Sequence, residues 1–101
     1  MSTASINEKV EKGRQWADAE LRNIAIERAV KINSVTWNES AENSVWIAEV
    51  DSAAGEHHTI ALSYASLSAC VDSDAGRAAM HEKLRSLVGD LARIERRGYL
   101  R

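Results

Sequence analysis

The 101-residue sequence contains no proline, no phenylalanine and a single cysteine. Without proline there is no collagen-like repeat. One cysteine excludes an internal disulfide framework and suits a reducing compartment. No apolar run is long enough to cross a bilayer. The opening Met1-Ser-Thr-Ala-Ser-Ile-Asn-Glu8 has neither the basic nor the apolar region of a signal peptide. The expectation is a cytoplasmic chain with no membrane partner. Lysine and arginine are missing between residues 34 and 76, a stretch that holds seven acids.

What is present is an ordinary globular balance, 45% hydrophobic and 28% charged. That excludes wholesale disorder. The length suits one α+β domain over residues 1–101, with residues 1–5 frayed and 99–101 a tail. With no phenylalanine, three tryptophans must supply much of the large core surface. The net charge of -2 conceals a layout: +1 over residues 1–33, -7 over 34–76 and +4 over 77–101. The acidic and basic parts can offset one another inside the fold, or the basic part can face an acidic partner. The overall balance argues against a non-specific nucleic-acid binder.

Ser5-Ile6-Asn7-Glu8 fits a capping box. A helical pattern follows to about Ile32, with Val10, Ala17, Leu21, Ile24, Ala25 and Ile32 on one side. Gly13 interrupts it. An unbroken helix over 6–32 would be about 40 Å long, too long for a compact body of about 13 Å radius of gyration. A break near Gly13 or a frayed start is expected. Trp16, Ile26 and Val30, with Ala19 between, form a second, narrower apolar stripe. Either other segments cover it, or it is a partner or self-association surface, including a homodimer contact.

Residues 34–65 change toward period 2. Val35-Thr36-Trp37 is short and β-rich. Ser44–Val50 puts Trp46, Ala48 and Val50 on one face, and His58–Tyr64 does the same for Ile60, Leu62 and Tyr64. The clusters 38–43 and 51–56 read as turns, too short for a crossover helix. Ala65–Val71 could form one helical turn. Asp72-Ser73-Asp74 offers several caps, and Met80, Leu84, Leu87, Val88, Leu91 and Ile94 form a clean helical stripe closed by Gly98. The expected fold is helix-strand-strand-strand-helix: a three-stranded antiparallel sheet with two helices packed on one face.

Few constellations suggest chemistry. His57, His58, Cys70 and His81 are the soft metal ligands besides methionine, but adjacent histidines on an extended segment point to opposite faces. Nothing in the spacing aims a base at Cys70. No phosphate loop or nucleophile elbow occurs. The reading is a non-catalytic interaction module with no cofactor or metal, acting on a protein partner or on itself. Arg85, Arg93, Arg96 and Arg97 share the helix face opposite the apolar stripe, and Arg101 extends it. This is a solvated face, a docking face for an acidic protein, or the basis of the alternative, a nucleic-acid-binding module.

The element order resembles that of the double-stranded-RNA-binding domain, whose second helix starts with a basic cluster that contacts phosphates. Here the matching stretch is Asp72-Ser73-Asp74-Ala75-Gly76-Arg77, and the first inter-strand loop offers Glu39 and Glu42 with no base. The resemblance therefore carries no binding residue across. In overall character the chain also resembles small uncharacterised proteobacterial proteins of the domain-of-unknown-function type, which implies no activity.

Overall fold

The computed structural model describes the backbone of residues 2–99 and the side chains of residues 8–92. The elements in order are helix α1 (Ser2–Glu27), strands β1 (Ile32–Ser40), β2 (Val45–Ser52) and β3 (His57–Ser63), and helices α2 (Tyr64–Asp72) and α3 (Asp74–Tyr99). The strands form one antiparallel sheet in the order β1-β2-β3. The expected α+β class is observed, with α2 as an additional helix.

Sheet register explains the alternation. Val35 pairs with Val50, Trp37 with Ala48, and Trp46 with Leu62. These side chains share the face covered by helices, where Ala48, Val50 and Leu62 are buried. The other face is open: Ser34, Thr36, Asn38, His57 and Thr59 are exposed. Gly55 makes the β2–β3 turn with φ 89°, a region that favours residues without a Cβ. Its N–H donates to the Ser52 carbonyl at 3.0 Å.

α1 runs unbroken through Gly13, so the expected break is not there. It starts at Ser2, ahead of Ser5, so Ser5–Glu8 is not its first turn. Gly13 is buried because the α2 backbone crosses it: a Cβ there would lie 1.9 Å from the Leu67 carbonyl oxygen. The glycine serves close approach between helices, not interruption. A body 56 × 27 × 16 Å accommodates the long helix. Likewise α3 continues past Gly98 to Tyr99.

α1 ends in a left-handed cap. Val30 N–H donates to the Ala25 carbonyl at 2.8 Å, and Ala29 N–H to the Ile26 carbonyl at 3.1 Å. Ala29 has φ 57°. This is the paired bonding of a Schellman motif, with alanine where glycine is usual and Val30 against Ala25 as its apolar contact. Ser63 caps α2, its Oγ accepting from Ser66 N–H at 3.1 Å. Ser73 caps α3, accepting from Gly76 N–H at 3.0 Å. Leu67 and Cys70 of α2 are buried with Met80, Leu84, Val88 and Leu91 of α3 and Leu21 of α1 in one core.

Candidate functional site

The expected apolar stripe on α1 is divided by the structure. Trp16 is half-buried and packs on the core. Ile26 is 75% exposed. Val30 is only 5% exposed, so its place on a surface stripe is corrected. The helix stops at Glu27, the left-handed Ala29 reverses the chain, and Val30 is thrown inward instead of continuing the wheel. What remains at the surface is a groove of about 620 Å³ beside Ile26. Its floor includes Ala25, Val30 and Ile32, and Arg22 and Lys31 also line it.

The arginine face is only partly described. Arg85 is exposed, with Nη1 3.9 Å from Glu82 Oε1. It lines a polar depression of about 440 Å³ with Arg28, Glu82 and Asp90, so acids and bases alternate there. The side chains of Arg93, Arg96 and Arg97, and Arg101 altogether, lie outside the described residues.

The soft ligands are dispersed. His57 lies on the open sheet face, His58 on the covered one, since they pair with Asp51 and Val50 respectively. His81 of α3 lies 2.6 Å from Glu20 of α1 and ties the two helices. Cys70 is buried, and burial raises its thiol pKa, with Arg77 opposing. Among the described residues no three His, Cys, Asp or Glu side chains are placed to hold a metal ion.

Two clusters were not anticipated. On the open face His57 Nδ1 is 2.6 Å from Asp51 Oδ1, and Nε2 is 3.5 Å from Glu49 Oε1. Ser34 Oγ donates to Asp51 Oδ2 at 3.1 Å, and Asn38 donates to Glu49. The carboxylate stands between the serine and the imidazole, so the ring cannot take the hydroxyl proton and no Ser-His-Asp relay exists. The Asp51 bond raises the His57 pKa and lowers that of Asp51. Under the helices, the Arg14 guanidinium faces the Trp46 ring at 5.0 Å and the Trp37 ring at 5.8 Å. Trp37 Nε1 donates to Asp18 at 3.0 Å, and Arg22 donates to the same carboxylate at 3.1 Å. The row Arg14-Asp18-Arg22-Ile26 at four-residue spacing is therefore the side of α1 next to β1.

The strand β1 itself is the other feature that pattern reading missed. It is an edge of the sheet, all nine of its residues are at least partly exposed, and no backbone bond joins its outer side to another described segment. Its sequence did not signal this, because Ile32–Ser40 carries only one of the charges that usually mark an edge, Glu39. No protein-family model, curated protein or solved structure matches the chain.

Proposed function

We propose that this protein is a non-catalytic interaction module that works through protein contacts, self-association included, at the end of α1. The observation that carries this reading is the groove beside Ile26. A largely exposed isoleucine next to an apolar floor loses free energy by staying wet, and a protein surface relieves that by covering it. The groove adjoins an unpaired strand edge, so apolar burial and backbone bonding are available together. The alternative, phosphate contact through the arginine face, is weighed by the same test.

The test is light scattering of the wild type and of Ile26→Glu at low and high salt, with and without duplex nucleic acid. Apolar association persists as salt rises. Ile26→Glu weakens it while circular dichroism stays unchanged, because the side chain is at the surface. Val30→Glu instead unfolds the chain, since it buries a charge. A complex that forms only with nucleic acid and dissolves steeply with salt would overturn the proposal in favour of the arginine face.

A further inference from the structure

We infer that β1 is the seam of a two-fold homodimer, in which the strands of two copies pair antiparallel into one six-stranded sheet. This rests on the reading of the chain as an interaction module and names its partner, a second copy, and the surface used.

An open strand edge presents N–H and C=O groups that pair readily with another strand. Natural edges are commonly protected by lysine, proline or inward-pointing charge. Ile32–Ser40 has neither lysine nor proline. Its guards are a register irregularity between Ile32 and Ser34, at the strand's beginning, and Glu39 on the helix-covered face at its end, which accepts from the Tyr64 hydroxyl. From Ser34 to Ser40 the ladder with β2 is regular, so the outer side is a straight template.

Charge selects the occupant and its direction. Arg28 and Lys31 stand just before β1, exposed and in no ion pair among the described residues. Glu39 and Glu42 stand at its far end, also exposed. A copy laid antiparallel brings the basic end of each strand to the acidic end of the other. With the two-fold axis at Val35, Ser34 meets Thr36 within the regular stretch, and beyond the irregularity the Lys31 end of each copy lies beside the Glu39 end of the other. A parallel copy would set acid against acid. The other edge, β3, contains no lysine or arginine, so pairing there gains nothing of this kind.

The same geometry accounts for Ile26. It belongs to the side of α1 next to β1, and its groove reaches Asn33. About the Val35 axis, the Asn33 end of one strand lies beside the Trp37 end of the other. The second copy therefore arrives over the groove, and the apolar surface and the strand edge are covered in one step. A two-fold contact is closed, so this edge is used up without chain growth.

Sizing by light scattering over a dilution series tests the inference. Wild type is expected at twice the 11.1 kDa chain mass. Ser34→Lys/Thr36→Lys sets lysine opposite lysine twice on the open face and weakens dimerisation by roughly two- to thirtyfold. Both side chains are exposed, and Ser34 gives up only its surface bond to Asp51, so the circular-dichroism spectrum of the folded monomer is preserved. Lys31→Glu and Glu39→Lys each weaken the dimer, and the double swap restores it, which a merely structural effect does not do. A wild type that stays monomeric across the series overturns the seam. So does a dimer broken by Ile26→Glu but indifferent to Ser34→Lys/Thr36→Lys; in that result the groove reading survives alone.

Discussion

Replacing Gly13 by alanine should destabilise this protein, although helix propensity alone says the opposite. In an open helix the change is worth about 1 kcal/mol in favour of alanine. At Gly13 the new Cβ falls 1.9 Å from the Leu67 carbonyl oxygen and 2.5 Å from its carbon. Ordinary contact needs about 3.5 Å, so α1 and α2 must part by roughly 1.5 Å. The obstacle is backbone, fixed within α2, and cannot turn aside. Parting the helices loosens Val10 and Ala17 from Leu67 and Cys70, all buried. Overpacking of this kind costs about 1–3 kcal/mol, and the rigid obstacle puts Gly13 at the upper end. The net loss is about 2 kcal/mol, or a fall in Tm of roughly 8–16 °C. Gly89→Ala is the internal control. It lies in α3 with nothing within 4 Å of a new Cβ, so only the propensity gain acts, a rise of roughly 4–8 °C. Thermal and urea unfolding by circular dichroism read both. If the two variants rise together, the close crossing of α1 and α2 is refuted.

Ala29→Gly should stabilise the fold by up to about 1 kcal/mol, because alanine is held at φ 57° and glycine is not strained there; a urea midpoint that falls would contradict the cap. His57 should titrate above 6.5, since the Asp51 carboxylate holds its proton. Its contribution to stability is full below 6.5 and fades as pH rises through the raised value, whereas that of Asp51 is present above 3.8 and fades as pH falls through the lowered one. NMR titration of the imidazole checks this: Asp51→Asn should return the midpoint toward 6.5, and a wild-type midpoint at or below 6.5 refutes the pairing.

β2, β3 and α3 were legible because each buries one face, and a single buried face imposes its period on the sequence. Of β1, which runs Ile32–Ser40 and takes in Ile32 from the expected helix and Asn38–Ser40 from the expected turn, only Val35–Trp37 showed. Trp46, Ala48 and Val50 declare a strand, and Met80 to Leu91 a helix. Three features were not. The end of α1 carries alanine where a glycine would have announced the stop, so the helical wheel ran on and placed Val30 outside. Gly13 was read by its backbone freedom, whereas its missing side chain is what the fold uses, and that depends on Leu67, far away in sequence. α2 buries only Leu67 and Cys70, too few to show a period. The site suffered in the same way: the pattern put Ile26 on a second stripe without deciding whether that stripe is covered, and which strand lies at an edge is decided by pairing order, which no local pattern records.

The bond between His81 and Glu20 spans 61 residues, and Leu67 reaches back across the chain to Gly13. α1 is thus made before the helices that complete its packing. At synthesis rates of about 5–20 residues per second, its apolar side waits on the order of 3–12 s for the helices that shelter it. The sheet, a meander of neighbouring strands, has no such delay. A nascent chain of this protein therefore passes through an interval in which its leading helix is the segment most in need of a chaperone.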